Sequence, residues 1–185
     1  MAMAARPTRK PRPAIDASKL DELALAYVGR FATSKAKLKA YLTRKLRERG
    51  WAGPSEPPIE ALTERLVRLG YVDDRAFALA KARSLTTKGY GSRRVRQALA
   101  QAGIADEDSG DAHDLATADA YEAALRYARR KHIGPYAASR PDPHLRERAL
   151  AAMIRAGHGF SLAKSVIDLA PGEVPESAEL SNFEP

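Results

Sequence analysis

Residues Gly70 to Ile104 read GYVDDRAFALAKARSLTTKGYGSRRVRQALAQAGI. Their pattern of apolar residues followed by a glycine recurs elsewhere in the chain. The stretch predicts two helices separated by glycines, the first opened by paired aspartates and the second rich in arginine. Asp73 suits the N-cap position, because its carboxylate can accept hydrogen bonds from free N–H groups of the first turn. Asp74 adds negative charge at the positive end of the helix dipole. With Asp73 as the cap, Val72 and Phe77 have the spacing of a hydrophobic staple.

The aspartate pair has a second interpretation, as a metal site or an acid–base pair. Adjacent carboxylates on a helix point in different directions, and no histidine or third acid lies nearby in the sequence. We therefore predict a structural role for Asp73, Asp74 and Phe77. They start the helix that leads to a hinge at Gly89 and Gly91.

A short signature recurs in the chain: two apolar residues four positions apart, then a glycine four positions further on. Its copies are Leu42, Leu46 and Gly50; Leu62, Leu66 and Gly70; Val95, Leu99 and Gly103; and Ala149, Met153 and Gly157. A glycine there predicts the left-handed residue that ends a helix. Repeated helix capping alone would produce the signature. Its recurrence through the core favours a tandem array of small helical units.

The apolar residues follow helical spacing and no segment alternates with a period of two, so we predict an all-α fold. The helices group into three tandem three-helix repeats, which predict an elongated, curved body. The repeats span residues 17–70 (helices near 17–31, 34–49 and 57–69), 71–132 (near 73–87, 92–102 and 114–132) and 133–170 (near 134–139, 143–156 and 160–169). The Pro-rich ends, 1–16 and 171–185, are predicted to be a basic and an acidic disordered tail.

Composition narrows the classes of function. The 185 residues include no cysteine, which excludes disulfides and thiolate metal sites and fits a reducing cytoplasm. The longest apolar runs fall far short of the roughly 18–20 residues of a membrane span. A net charge of +8 and a pI near 9.8 indicate an anionic partner. No long heptad seam predicts a coiled coil, and we expect a monomer with no membrane contact.

The positive charge is segregated into three groups, opposed by an acidic block between Asp106 and Glu122. A basic run usually is a solvated face that keeps a protein soluble. Two successive helices nearly free of acids forgo the usual Glu–Lys pairing, and this favours contact with an anionic partner. The candidate partner-binding or DNA-binding residues are Lys35, Lys37, Lys39, Arg44, Lys45, Arg47, Lys88, Arg93, Arg94, Arg96, Arg129, Arg130 and Lys131. Few aromatic residues are placed to stack on bases, chiefly Tyr41 and Tyr90.

Motifs for catalysis are mostly absent. The four histidines lack metal-ligand spacing, and no nucleophile motif occurs. Gly89-Tyr90-Gly91 resembles the start of a phosphate-binding loop, but Arg94 stands where a third glycine is required and no strand precedes it. A helix end and hinge explain these glycines better. We expect no enzyme activity, no cofactor and no metal.

Residues from about 24 to 169 resemble the bacterial RecX family of recombinase regulators. The resemblance rests on the Asp73-Asp74-x-x-Phe77-Ala78 box, on Lys88-Gly89-x-Gly91 with Arg94 and Leu99 behind it, and on Ala102-Gly103-Ile104. The basic Leu-rich helix that follows Gly29-Arg30-Phe31 and the segment Gly157-x-Gly159-Phe160-Ser161 also look like parts of that family.

The resemblance implies a modulator of RecA. Such proteins lie in the helical groove of the RecA–DNA filament, limit its growth and suppress its ATPase and strand-exchange activities. It implies RecA and the RecA–DNA filament as partners, with weaker direct DNA binding. The residues themselves leave two rivals: a helical architectural protein that binds DNA without sequence specificity, and a helical scaffold for acidic proteins. We expect Lys35–Arg49 and Lys88–Arg96 to make the contacts.

Overall fold

The computed structural model describes residues 13–173. Over that range the chain is helical, apart from a 3-10 turn at Gly134–Tyr136, loops and one short bridge between extended segments, which confirms the all-α prediction. The α-helices are α1 (Ala17–Val28), α2 (Lys35–Arg49), α3 (Ile59–Arg68), α4 (Asp74–Thr87), α5 (Ser92–Gln101), α6 (Asp106–Ala118), α7 (Ala120–Lys131), α8 (Pro143–Arg155) and α9 (Phe160–Asp168). They fall into two compact units, unit 1 (Met1–Asp73) and unit 2 (Asp74–Pro185).

Unit 1 packs α1, α2 and α3 around one apolar core. Leu20, Leu38, Leu42 and Leu66 are fully buried in it, one or two from each helix. Each of these residues belongs to a row of apolar residues with helical spacing in the sequence. The three helices therefore bury the apolar stripes that the pattern predicts. The α2 face opposite this stripe is therefore left for the basic residues.

The predicted basic tail is wrong for residues 13–16. Ile15 is fully buried in the core of unit 1. Its N–H donates to the Gly50 carbonyl at 3.0 Å, and its carbonyl accepts from the Ala52 N–H at 2.9 Å. Asp16 then caps α1 by accepting a hydrogen bond from the Lys19 N–H at 2.8 Å. A lone isoleucine after a Pro-rich stretch shows no periodicity, so only the fold reveals its burial. Residues 1–12 lie outside the described range.

The acidic tail also begins later than predicted. The Gly172 N–H donates to the Pro135 carbonyl at 2.8 Å, and the Glu173 carboxylate accepts from the Ala170 N–H at 3.1 Å. Gly172 and Glu173 are thus held to the rest of unit 2 by hydrogen bonds, which a composition-based prediction does not detect. Residues 174–185 lie outside the described range.

Unit 2 contains two apolar clusters. The first joins α4, α5 and α6 through Val95, Leu99 and a set of buried alanines. The second joins α7, α8 and α9 through Leu125, Met153 and Val166. Alanine faces let α4 and α6 approach closely, because their side chains add little thickness between the helices.

The prediction of a single helix over residues 114–132 is wrong. The chain forms α6 and α7 with a break at Asp119, whose backbone leaves the helical region. Its carboxylate receives a hydrogen bond from Arg126 at 2.5 Å. The predicted helix near 134–139 is a three-residue 3-10 turn, because Gly134 has a φ of 58° and Ala137 is extended. We propose that the second and third three-helix repeats meet at Asp119 instead of residue 132.

The prediction of a left-handed glycine at the helix end is confirmed for three of the four glycines, while Gly50 ends α2 with a ψ of 167° that lies outside the left-handed helical region. All four have positive φ: Gly50 (79°), Gly70 (75°), Gly103 (68°) and Gly157 (96°). The last three share one hydrogen-bond pattern, in which the next residue's N–H reaches back to the carbonyl five positions earlier: Tyr71 to Leu66 at 2.9 Å, Ile104 to Leu99 at 3.1 Å and His158 to Met153 at 3.2 Å. This is the Schellman ending of a helix. Gly89, with a φ of 78°, ends α4 in the same way.

The start of α4 agrees in position with the predicted cap. Its first helical residue is Asp74, so Asp73 occupies the place directly before the helix. Asp74 is 5% exposed, which fits a structural role in the first turn. Phe77 is half-buried and packs against the α4–α6 cluster. The capping hydrogen bond of Asp73 stays a prediction.

Candidate partner-binding surfaces

The basic residues of α2 lie on a helix anchored in the core of unit 1. The Ser34 side chain caps this helix by accepting a hydrogen bond from the Lys37 N–H at 3.2 Å. Its predicted contact residues are all half-buried or exposed: Lys35, Lys37, Lys39, Arg44, Lys45 and Arg47. We call these six residues the α2 surface. They lie on a helix that its N-cap and its buried apolar residues hold in place.

Three cations of the α2 surface have acidic partners within unit 1. The Lys39 ammonium lies 2.5 Å from a Glu60 carboxylate oxygen. Glu48 takes two cations, Lys45 at 2.9 Å and Arg44 at 3.7 Å. Surface pairs contribute only about 0–1 kcal/mol each, so a strongly anionic partner can displace them. They nevertheless leave less unbalanced charge on α2 than a count of its lysines and arginines suggests.

In unit 2, Gly91 and Gly157 bring the start of α5 against the end of α8. The Gly91 N–H donates to the Ala156 carbonyl and the Arg93 N–H donates to the Gly157 carbonyl, both at 3.1 Å. These are end groups that neither helix can satisfy internally, so each helix end completes the other. We call this contact the glycine junction.

The glycine junction has no room for side chains. A methyl group on Gly91 would lie 2.3 Å from the Gly157 carbonyl oxygen. One on Gly157 would lie 2.4 Å from the Arg94 backbone nitrogen, and the φ of 96° at Gly157 already favours glycine. The sequence suggested a hinge at Gly91. The structure shows a close packing contact there, which orients α5.

The arginines of α5 are exposed while its apolar residues are buried. Val95 and Leu99 are 0% and 2% exposed, which turns Arg93, Arg94 and Arg96 to solvent. The Arg94 guanidinium donates to the Gln97 side chain at 2.9 Å. We call Arg93, Arg94 and Arg96 the α5 arginines. Between residues 13 and 173, no acidic side chain forms an ion pair with any of them.

The position of the α5 arginines is unfavourable for the helix itself. Arg93 and Arg94 lie in its first turn, which holds no acid, although the positive end of the helix dipole repels cations there by about 0.3–1 kcal/mol each. Local stability would favour an aspartate or glutamate. An anion bound at this turn would remove the repulsion.

The basic residues of α7 serve the fold as well as the surface. Arg126 donates to the Thr86 carbonyl at 3.1 Å, and Arg130 donates to the Lys88 carbonyl, so both satisfy carbonyls at the end of α4. Arg129 lies over the Tyr136 ring, 5.5 Å from its centroid. Lys88 and Lys131 have exposed side chains. The structure therefore brings the predicted basic residues of the 88–96 segment and of α7 together at Lys88 and Arg130. The Arg130 guanidinium is already hydrogen-bonded to the Lys88 carbonyl.

The two tyrosines singled out for base stacking each have a ring face occupied. Tyr41 stacks on Tyr27, with ring centroids 4.2 Å apart. The Arg130 guanidinium lies 5.6 Å from the centroid of Tyr90 and 5.4 Å from that of Tyr127. A nucleic acid would therefore meet charge at these places more readily than an open aromatic face.

His158 is a buried polar residue beside the glycine junction. It is 1% exposed, and its Nε2 lies 3.1 Å from the Gly89 carbonyl oxygen. A carbonyl only accepts, so Nε2 carries the hydrogen, and Nδ1 has no partner within the described residues. Burial lowers the pKa of His158, against a smaller opposing effect of that hydrogen bond. Neutral His158 therefore ties the end of α4 to the end of α8.

Sequence reasoning missed three arginines that line a groove in unit 2. Arg140 follows the 3-10 turn, and Arg148 and Arg155 lie on α8; all three are exposed. The seven-residue spacing of the last two puts them on one helix face, a signal that was available in the sequence. It was hidden because α8 also carries acids and an apolar stripe.

Residues 13–173 contain no group of three or more histidines, aspartates and glutamates that could hold a metal ion. No helix in the same range is long and apolar enough to cross a membrane.

Comparisons with known proteins agree on one family. The family model described as RecX, second three-helix domain, matches residues 73–112. A regulatory protein RecX from Myxococcus xanthus (strain DK1622) is 34% identical over 90% of this chain and 92% of its own length. One from Mycobacterium sp. (strain JLS) is 32% identical over 80% of this chain and 81% of its own. The crystal structure of RecX from Lactobacillus salivarius has the same fold, with a TM-score of 0.58 at 18% identity over 81% of this chain and 93% of that one.

Proposed function

The chain belongs to the RecX family of regulatory proteins, and from that premise we propose that it binds the RecA–DNA filament and inhibits RecA. In this proposal it limits filament growth, ATP hydrolysis and strand exchange in the cytoplasm, and so modulates recombination and DNA repair. It acts by occupying a surface, without catalysis of its own. The filament presents protein carboxylates and DNA phosphates, which suit exposed guanidinium groups.

The observation that carries the proposal is the set of α5 arginines on a helix fixed by the glycine junction. Their charge has no acidic partner among the described residues, and the charges of Arg93 and Arg94 lie in the first turn, where they weaken the helix. Because the junction holds the start of α5, the guanidinium groups reach a partner from a rigid base, and little order has to be gained on binding. We propose that the α2 surface makes a second contact and that the two together bridge successive RecA subunits.

The test is a titration of the full chain into DNA-dependent ATP hydrolysis by RecA. The variant Arg93→Glu, Arg94→Glu, Arg96→Glu should inhibit more weakly, because several charge-assisted contacts are replaced by repulsion. The concentration required for half inhibition should rise by at least about tenfold. Its matched control reverses three exposed arginines outside the predicted contacts, Arg30, Arg68 and Arg83, and should inhibit within about threefold of wild type. A folded α5 variant that inhibits normally would overturn this assignment.

The same titration separates the rival functions. A general DNA-binding protein binds bare DNA tightly and with a steep salt dependence, and it shows no preference for the filament. A scaffold for acidic proteins neither inhibits the ATPase nor binds DNA. The proposed regulator inhibits at concentrations where its binding to bare DNA is weak.

A further inference from the structure

A basic groove in unit 2 has no role in the proposed inhibition. It is lined by the end of α7, the segment from Gly134 to Asp142 and one face of α8, and its volume is about 1320 Å³. Pockets for small ligands usually measure about 300–1,000 Å³ and enclose most of the ligand. This groove is larger and opens to solvent, so its dimensions suit an extended chain segment. We call it the α7–α8 groove.

The charge of the α7–α8 groove is strongly one-sided. Its lining includes five cations, Arg130, Lys131, Arg140, Arg148 and Arg155. The acid Asp142 stands among them, but its carboxylate already caps α8 by accepting a hydrogen bond from the Leu145 N–H at 2.8 Å. Within residues 13–173, Arg140, Arg148 and Arg155 have no acidic partner, and we call these three the groove arginines.

A neighbouring arginine shows what the groove arginines lack. Arg146, on the same helix, is paired with Asp168 of α9. The hydrogen bond from Arg146 lowers the pKa of the Asp168 carboxyl, so Asp168 stays ionised and the pair holds α8 to α9. The fold therefore already has its ion pair at this helix, and the groove arginines are left for an anion from elsewhere.

The groove also presents apolar surface beside its cations. Its lining includes Tyr90, Tyr127, Ile133, Leu145 and Ile167. Leu145 is 49% exposed, so about half of its surface still faces solvent. Peptide-binding grooves hold apolar side chains on surfaces of this kind, next to polar contacts. A lining that combines cations with apolar side chains fits a peptide segment that carries both acids and apolar residues.

Residues 174–185 of this chain have that composition. They read VPESAELSNFEP and contain three glutamates, with no lysine or arginine. Leu180 directly follows Glu179, and Phe183 directly precedes Glu184, so each large apolar side chain stands next to a carboxylate. We call residues 174–185 the C-terminal segment. Its charge is opposite to that of the groove, and its apolar residues match the rest of the lining.

The C-terminal segment starts beside the groove and is long enough to follow it. The Gly172 N–H donates to the Pro135 carbonyl at 2.8 Å, and Pro135 lies in sequence between the lining residues Gly134 and Ala137. The helix α8, which forms one wall, has 13 residues and is therefore about 20 Å long. The C-terminal segment spans up to about 40 Å when extended. It can therefore run along the whole wall from its starting point.

Covalent attachment makes weak contacts sufficient. Ion pairs at a protein surface are individually weak, so a free peptide of this sequence would bind poorly. A short tether, however, holds its end at an effective concentration on the order of 1 mM. A segment whose own dissociation constant is about 1 mM would then be docked about half of the time.

We propose that the C-terminal segment docks in the α7–α8 groove of its own chain, with its glutamates against the groove arginines and its apolar side chains against Leu145. The docked segment covers the cations of the groove and competes with any external anion. A ligand of the groove must displace it, so binding there is weaker and more selective than the exposed arginines alone would allow. The contact does not depend on the α5 arginines or on RecA.

A spin label in the C-terminal segment tests the docking in the full chain. The chain has no cysteine, so Asn182→Cys provides one place for a nitroxide, which broadens the NMR signals of nearby amides. The amides of Ala138, Ser139 and Ala152, which line the groove, should lose most of their intensity. Salt at about 1 M, where charges are screened beyond about 3 Å, should restore much of it.

Charge reversal in the segment distinguishes docking from mere tethering. The segment reversal is Glu176→Arg, Glu179→Arg, Glu184→Arg in the labelled chain. It should return the groove signals to nearly full intensity, because attraction to the groove arginines becomes repulsion. The tether is unchanged in this variant, so broadening that it retains would come from tethering alone and would overturn the proposal.

Reversal on both sides should restore the contact. The groove reversal, Arg140→Glu, Arg148→Glu, Arg155→Glu, should by itself also release the segment. Combined with the segment reversal, it should bring the broadening back, since opposite charges face each other again. The matched control combines the segment reversal with reversal of three exposed arginines outside the groove lining and should not bring it back: Arg30→Glu, Arg68→Glu, Arg83→Glu.

The test stays decisive if the groove reversal does not fold, as judged by circular dichroism. The milder Arg140→Gln, Arg148→Gln, Arg155→Gln then takes its place and should also release the segment. The segment reversal leaves residues 13–173 unchanged, so its result can be read in either case. Broadening that persists in a folded groove variant would overturn the proposal.

A labelled oligo-dT tests whether an external strand occupies the groove in place of the segment. Glu176→Gln, Glu179→Gln, Glu184→Gln should raise its affinity at low salt by at least about threefold in fluorescence anisotropy, because the internal competitor is weakened. The control Glu56→Gln, Glu64→Gln, Asp114→Asn changes the net charge equally at exposed positions, and should raise it by less than about twofold.

Equal gains in the two neutralised variants would mean that the segment does not compete for the groove, and would overturn the proposal. All of these measurements are made without RecA. Failure of the docking is therefore seen separately from failure of the proposed inhibition, which only the ATPase titration reports.

Discussion

The α2 surface and the α5 arginines look alike in sequence and differ in the structure. Both are basic helices with few acids nearby, and both bury an apolar stripe. On α2, Glu48 and Glu60 reach three of the cations. On α5, no acid within the described residues does so, and a glycine junction fixes the helix start. Basic runs of similar composition can therefore differ in how much charge they offer a partner, and only tertiary packing decides it.

The strongest test of this difference removes the glycine junction. Gly157→Ala should destabilise unit 2 by about 2–4 kcal/mol, because the methyl group meets the Arg94 backbone and the residue must keep a left-handed φ. Gly91→Ala should cost somewhat less, since its φ is ordinary and the cost comes only from contact with the backbone of Gly157 and His158. Urea unfolding of the full chain measures both.

Gly110→Ala is the matched control for that test. Gly110 lies inside α6 and a methyl group there meets nothing within 4 Å. The substitution should stabilise the protein by about 0.5–1 kcal/mol through helix propensity. If Gly157→Ala proved as stable as wild type, the junction would not be what holds α5.

The next effect is a pH dependence that arises from His158. Because its pKa is lowered in the folded state, the unfolded chain binds more protons below the ordinary value of 6.5. The contribution of neutral His158 to the free energy of unfolding is fully present above pH 6.5 and is lost as the pH falls from there toward the lowered pKa. In that range the free energy of unfolding should fall by up to about 1.4 kcal/mol per pH unit. Unfolding free energies between pH 8 and 5 measure it, a range in which the Asp168–Arg146 pair stays ionised.

Substitutions assign that slope to its residue. His158→Gln keeps a donor for the Gly89 carbonyl but does not titrate, so it should flatten the slope. An unchanged slope in His158→Gln would place the titrating group elsewhere.

The smallest effect concerns the acids that face α2. Glu48→Gln with Glu60→Gln should lower stability by less than about 1 kcal/mol, because the lost ion pairs are at the surface. The released cations should strengthen binding to the RecA–DNA filament by about two- to threefold at low salt. Unfolding and filament pull-down measure the two changes, and weaker binding would mean that these acids themselves contact the partner.

Features that depend on local chain geometry could be predicted from the sequence. Gly70, Gly103 and Gly157 end helices as their spacing indicated, because a left-handed residue after an apolar stripe has a local physical cause. The break at Asp119 could not be predicted, since neither glycine nor proline marks it and Arg126 stabilises it from the next helix. The burial of Ile15 depends likewise on a partner, Trp51, far along the chain.

The candidate sites divide in the same way. Exposure of Arg93, Arg94 and Arg96 follows from the helical spacing of Val95 and Leu99, so the sequence was sufficient. The engagement of Arg130 with the Lys88 carbonyl requires α4 and α7 to meet, which no local pattern encodes. The groove in unit 2 likewise depends on Arg140, Arg148 and Arg155, which come together from a loop and a helix.

The most direct measurement compares charge reversal on the two helices in RecA ATPase inhibition. One variant carries Arg93→Glu, Arg94→Glu and Arg96→Glu, and the other carries Lys39→Glu, Arg44→Glu and Lys45→Glu, so that both change the net charge equally. We predict that the α5 variant needs at least about tenfold more protein for half inhibition, and that the α2 variant needs a smaller increase. An α2 variant as impaired as the α5 variant, or more so, with both folded, would contradict the account.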